Sequence, residues 1–213
     1  MKTHELVTML ATGADGVERS VVHRRVSASI GWGALGAALL MAVLLGVRAD
    51  LLEALALPMF WVKFAFAAML VAGSIVAVLR LSQPGARLGG VPAAIVAPVL
   101  AIWALAVLVM LDATPEERRT LLLGDSWAVC PLNIGVLSIP AFVSALWAVH
   151  GLAPTRLRLA GAAAGLLAGS IAALVYALHC PELAAPFIAV WYVLGILVPV
   201  AIGALIGPYV LRW

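Results

Sequence analysis

Six stretches of this chain are apolar almost without interruption, at residues 28–47, 59–79, 91–111, 131–149, 157–178 and 185–210. Each is close to the about 20 residues that an α-helix needs to cross the hydrocarbon of a bilayer. None alternates apolar and polar positions with period two, as a lipid-embedded barrel strand must. With no water in the hydrocarbon, backbone N–H and C=O groups have to pair within the segment, and the helix does this. The pattern predicts an all-α polytopic membrane protein, a compact six-helix transmembrane bundle joined by short polar gaps. The sixth stretch is long enough to require tilt or a start outside the hydrocarbon.

Residues 1–26 break the pattern. Lys2, Glu5, Asp15, Glu18, Arg19, Arg24 and Arg25 fall here. The segment is too long and too mixed for the basic region of a signal peptide, and no small-residue cleavage site follows it cleanly. It divides the chain into an N-terminal arm, 1–26, and a transmembrane domain, 27–213. Within the arm, "HELVTMLA" spaces Leu6, Met9 and Leu10 along one helical face, and "TGADG" then ends the periodicity. A helix this short is marginal alone. Its apolar stripe reads either as a stub resting on lipid or as a docking peptide for a partner.

Composition removes one class of function and charge removes another. Apolar residues make up 65% and charged residues 11%, against about 45–50% and about 25% in soluble domains. A water-soluble globule so composed would expose patches large enough to aggregate. The net charge of +3 does not mark direct nucleic-acid binding, because the basic residues sit at helix ends and not among aromatics. Their distribution orients the bundle. Lys2, Arg19, Arg24, Arg25, Arg80, Arg87, Arg156, Arg158 and Arg212 fall on the side of the termini, and Arg48, Lys63, Arg118 and Arg119 on the other. That bias predicts cytoplasmic termini.

This topology puts both cysteines on the outer surface. Cys130 in "WAVCPLNIG" precedes the fourth span and Cys180 in "YALHCPELAAPF" precedes the sixth, each followed by proline. Proline suits the first turn of a helix, so each cysteine is expected at a helix N-terminus, where the dipole favours a thiolate. The outer compartment is oxidising. A structural disulfide, a redox-responsive pair, a soft-metal site for a Zn or Cu ion at Cys130, Cys180 and His179, and two inert thiols all fit.

Polar groups within the spans are few. Lys63 lies near the outer end of the second span and is expected to snorkel outward. Ser74, Ser144 and Ser170 are expected to bond the preceding turn of their own helices. So sparse a lining counts against a small-molecule or ion transporter. The lack of a close Cys-x-x-Cys pair counts against a membrane thiol–disulfide redox protein. No catalytic constellation is visible. Gly161, Gly165 and Gly169 form a smooth stripe on the fifth span that permits close helix approach, either inside one bundle or in a homodimer.

Four stretches carry a likeness to a known family: "LVTMLA" in the arm, "CPLNIGVLSIPAF" at 130–142, "GLAPTRLRLAGAAAGLLAGSIAALVYALHCPELAAPFIAVWYVLGI" at 151–196 and "IGALIGPYVLRW" at 202–213. The chain resembles the six-span negative regulators of extracytoplasmic-function sigma factors found in proteobacteria. The resemblance implies an inner-membrane anti-sigma factor of a stress response rather than an enzyme. It implies that the arm, through Leu6, Met9 and Leu10, holds a sigma factor. It also implies that Cys130 and Cys180 are needed for the response to oxidants or metal ions.

Overall fold

The computed structural model describes residues 3–12, 19–83, 85–152 and 154–212. The elements are helical throughout: α1 (Thr3–Thr12), α2 (Arg19–Leu44), α3 (Leu51–Leu55), α4 (Pro58–Leu81), α5 (Val91–Asp112), α6 (Pro115–Leu123), α7 (Cys130–His150), α8 (Leu157–Tyr176), α9 (Ala185–Phe187) and α10 (Val193–Val210). A π-helical turn, Ile188–Tyr192, joins α9 to α10, so that Ala185–Val210 forms one span. Among the described residues six helices are long and apolar enough to cross a membrane: α2, α4, α5, α7, α8 and this composite. The protein is a multi-pass membrane protein.

Proline and glycine set several boundaries. Pro58 opens α4 behind an extended Leu57. Gly46, at φ +74, ends α2 by returning its N–H to the Met41 carbonyl at 2.9 Å, a conformation that costs glycine nothing. The short α6 lies outside the six spans. It begins with a capping box in which Thr114 N–H donates to the Glu117 carboxylate at 2.9 Å and Glu117 N–H donates to Thr114 Oγ1. The Thr114 N–H, together with the Thr114 hydroxyl donating to the same carboxylate at 2.8 Å, holds the Glu117 carboxyl below its usual range.

α8 lies at the centre: 72% of its apolar stretch is buried, against 17% for α5. Gly161, Gly165 and Gly169 explain how. A Cβ on Gly161 would overlap the Gly203 carbonyl, one on Gly165 the Pro199 carbonyl, and one on Gly169 would stand 2.9 Å from the Ile196 carbonyl. The stripe is therefore spent on α10 of the same chain and is not available for a homodimer.

α2 leans on α7 by the same device. Gly33 faces Ala141 and Ser144, and Gly36 faces Pro140. Ser144 Oγ bonds its own Ala141 carbonyl and also donates to the Ser29 carbonyl of α2, both at 3.0 Å. Ser74 and Ser170 bond only within their own helices. The first span begins earlier than the apolar pattern indicates. α2 runs unbroken through the expected 26/27 boundary, and Val26 is already buried. Arg25 covers the Trp147 ring at 5.8 Å, which lets a basic residue join the bundle.

The two ends of the bundle differ. At one, His150 Nδ1 lies 2.9 Å from the Val210 carbonyl and Arg25 reaches Gly151. At the other, Arg48 N–H donates to the Leu178 carbonyl at 3.2 Å, and the segments holding the two cysteines meet.

Candidate functional site

Cys130 is the first residue of α7, but its N–H is not free. It donates to the Ser126 carbonyl at 2.9 Å, because the turn before α7 already has helical form. Cys180 departs further from expectation. The chain keeps helix-like turns past α8, with His179 and Cys180 N–H both bonding the Tyr176 carbonyl. Pro181 follows, and the next helix starts only at Ala185, with Pro186 in its first turn. Cys180 thus stands at the C-terminal end of a helix, where the dipole opposes an anion.

The structure brings the two cysteines together. Both side chains are wholly buried in one core cluster, and both are free thiols close enough to influence each other's ionisation.

Lys63 corrects the sequence reading most. It does not snorkel. Its side chain is fully buried, and Nζ donates to the Cys180 carbonyl at 3.0 Å and the Glu182 carbonyl at 2.9 Å. Nζ also lies over the Tyr192 ring, 4.7 Å from its centroid. The reason is local. The 180–182 turn has left the helix, so its carbonyls need donors, and an ammonium supplies three. Among the described residues Lys63 is the one fully buried charged side chain. Its presence inside a predicted span was the signal that could have found it, since ionisable groups at that depth are functional by default.

Other groups complete the enclosure. Arg48 grips Asp50 with two bonds, 2.7 and 2.6 Å, and directs Nη1 to the Cys180 carbonyl at 3.4 Å. The Glu182 carboxylate accepts from Asp125 N–H at 2.8 Å, and Gly124, at φ +54, leaves it room. The Tyr176 and Tyr192 rings pack 5.8 Å apart. Asn133 Nδ2 donates to the Tyr176 hydroxyl at 3.3 Å. The Tyr192 hydroxyl is buried without a hydrogen bond of full geometry, and the Cys180 sulfur is the polar atom it approaches. The adjacent Cys130 thiol, then the Lys63 charge, the Tyr192 hydroxyl and Glu182 N–H, outweigh burial and push the Cys180 thiol down from its ordinary value.

The soft-metal arrangement is not assembled. Among the described residues no three His, Cys, Asp or Glu side chains are grouped to hold a metal ion. His179 turns away, with Nδ1 2.9 Å from the Gly46 carbonyl and its ring against Tyr176. The Lys63 ammonium also places positive charge beside Cys180, to whose carbonyl it is bonded.

At the far end of the sequence, α1 exposes Leu6 (41%) and Met9 (67%). Thr8 and Thr12 on the opposite side return their hydroxyls to His4 and Thr8 carbonyls. The Leu10 side chain lies outside the described residues.

Along its whole length the chain is similar to known proteins. A family model described as negative regulator of sigma F matches residues 10–213. The chain belongs to the NrsF family. One relative, the probable anti-sigma-F factor NrsF of Azospira oryzae, is 57% identical over 213 residues, covering both chains completely. Another, the anti-sigma-F factor NrsF of Caulobacter vibrioides, is 39% identical over 217 residues and again covers both. No solved structure matches the chain. The NrsF family match includes Lys63, Cys130 and Cys180 but begins after Leu6 and Met9, whereas both NrsF relatives align through the arm. Membership in the NrsF family supports an anti-sigma factor role for the chain.

Proposed function

We propose that this protein is an inner-membrane anti-sigma factor that holds an extracytoplasmic-function sigma factor through α1, and releases it when Cys130 and Cys180 are oxidised to a disulfide. The observation that carries the reading is where α7 leads. One end of α7 begins at the thiol pair. Its middle and far end pack on α2, through Gly33, Gly36, Ser144 and Arg25. α2 follows α1 in the chain. A shift of α7 at the thiols therefore has a packed path to the helix that carries the arm, and rigid-body helix shifts are a known form of such signalling. Bond formation draws the sulfurs to about 2.05 Å, closer than a hydrogen-bonded contact. A tenfold loss of sigma affinity needs only about 1.4 kcal/mol of coupling.

The thiols are buried, but Pro181 and Asp125 close by are exposed. The oxidant reaches the pair by local opening of the 180–182 turn, a motion of lower cost than global unfolding. The basic-residue bias orients the thiol end toward the periplasm and both termini toward the cytoplasm. Single-cysteine labelling in intact cells checks this: a membrane-impermeant maleimide should modify a cysteine at position 118 and spare one at position 87. Labelling at 87 alone would invert the topology.

The function is tested by replacing both thiols. Cys130→Ser with Cys180→Ser should leave the sigma factor bound and abolish its release by peroxide or hypochlorite. The measurement is sigma-dependent transcription beside co-purification of the complex. Normal induction in this variant would remove the thiols from the mechanism.

A further inference from the structure

Resting on the redox reading above, we propose that Lys63 is a positioning residue that makes Cys180 the attacking thiol and Cys130 the resolving one. The two cysteines are equally buried, so exposure does not distinguish them. Their surroundings do. The ammonium of Lys63 is bonded to the carbonyl of Cys180 itself and to that of Glu182, two residues on. Arg48 approaches the same Cys180 carbonyl from the end of α2. At the C-terminal end of α8 an anion would otherwise be disfavoured, and these cations reverse the sign. Cys130, by contrast, opens α7, and among the described residues no lysine or arginine bonds its carbonyl.

Every element around Cys180 contributes a named group: Lys63 from α4, Arg48 from the turn after α2, Cys130 from α7, Tyr176 from α8, Tyr192 from the π-helical turn, and Glu182 and His179 from its own segment. Lys63 is the buried cation among them. The lowered Cys180 thiol described above agrees with this geometry.

The chemistry follows with atoms balanced. The Cys180 thiolate attacks the electrophilic oxygen of a hydroperoxide, ROOH. An S–O bond forms, the O–O bond breaks, and RO⁻ leaves to take up the proton that Cys180 had lost. Cys180 is now a sulfenic acid. The Cys130 sulfur then attacks it. The S–S bond forms, the S–O bond breaks, and the hydroxyl leaves with the Cys130 proton as water. Two thiols are oxidised and one hydroperoxide is reduced to ROH. The thiolate, not the thiol, is the nucleophile, so the rate depends on the charge at position 63.

The test uses the full-length protein in membranes or detergent. In Cys130→Ser, tert-butyl hydroperoxide should leave a sulfenic acid on Cys180 that a dimedone probe traps. In Cys180→Ser, Cys130 should react at least about tenfold more slowly. Adding Lys63→Met to Cys130→Ser should shift the pH midpoint of Cys180 alkylation by iodoacetamide upward, toward the free-thiol value of about 8.5. Lys63→Arg should restore it. A purely packing role for Lys63 would leave that midpoint unmoved, because methionine fills the same space. Equal rates of sulfenic acid formation in the two single-serine variants, or an unshifted midpoint in Lys63→Met, would overturn the assignment while leaving the redox reading intact. A wild-type protein that forms no disulfide with the hydroperoxide would bring down the redox reading itself, and this inference with it.

Discussion

Gly165→Val should leave almost no folded protein in the membrane. A Cβ at this position would overlap the backbone of Pro199 and stand 2.8 Å from Val200 Cα. Backbone atoms cannot rotate aside as a flexible side chain can, so the helices would have to separate. Gly161 and Gly203 oppose each other one turn away, and each would meet the other's carbonyl, so the seam cannot yield at one point only. Overpacking a well-filled interior costs about 1–3 kcal/mol where side chains can adjust, and more where backbone is struck. Total stabilities are about 5–15 kcal/mol. The loss would reach the central helix, which packs against every span except α5 in substance. Yield of monodisperse protein after detergent extraction, and protease resistance of the extract, are the measurements. Gly31→Val is the control, since nothing lies within 4 Å of a Cβ there, and it should behave as wild type. Equal yields from the two variants would mean that the α8–α10 seam is looser than its geometry indicates.

What could be read from the sequence follows from which physical signals are local. The six spans were legible because hydrocarbon demands about 20 apolar residues in a row, and five of the predicted spans agree with the observed helices within about two residues at each end. The first did not agree. Its entry carries Arg24 and Arg25, which hydropathy counts as aqueous, while the bundle accommodates Arg25 over Trp147. The glycine stripe was legible as a close-approach surface, but its partner was not, because sequence does not say which helix lies opposite. α6 was missed because nine mixed residues look like a loop until the Thr114–Glu117 box is recognised.

The thiol site was half legible. Matching depth and matching Cys-Pro context brought Cys130 and Cys180 together on paper. Pro181 misled, since it reads as the start of a helix and in fact ends the turns trailing from α8. Lys63 misled for a different reason. A lysine near a span end can reach water or can turn inward, and the choice depends on whether acceptors wait inside. The carbonyls of Cys180 and Glu182 do, but they lie more than a hundred residues away in the chain. The same long-range knowledge decides His179, one group of the soft-metal alternative, whose Nδ1 lies 2.9 Å from the Gly46 carbonyl.

The arm carries the remaining large effect. Replacing Leu6 and Leu10 together with aspartate should release the sigma factor constitutively, with at least about a hundredfold loss of affinity. In α1 positions 6, 9 and 10 share a face, and Leu6 and Met9 are exposed on it. A helix of ten residues gains little from its own backbone, so what it offers a partner is this stripe. Carboxylates brought into an apolar contact lose their hydration without gaining a counter-charge, and burying even a neutral polar group unpaired costs about 1–3 kcal/mol. A charged carboxylate costs more than a neutral group, so two of them exceed the about 2.7 kcal/mol that separates a hundredfold difference in binding. The thiols play no part in this release, so the variant should be fully active with Cys130 and Cys180 reduced. Thr8→Asp, on the opposite face of α1 where Thr8 bonds the His4 carbonyl, should keep the complex. The readouts are co-purification with the sigma factor and transcription from its promoters, with membrane abundance of each variant checked by immunoblot. An aspartate pair that stays in the membrane, keeps the complex and leaves transcription silent would take α1 out of the contact and move the binding surface to the loops beside Arg156 and Arg158.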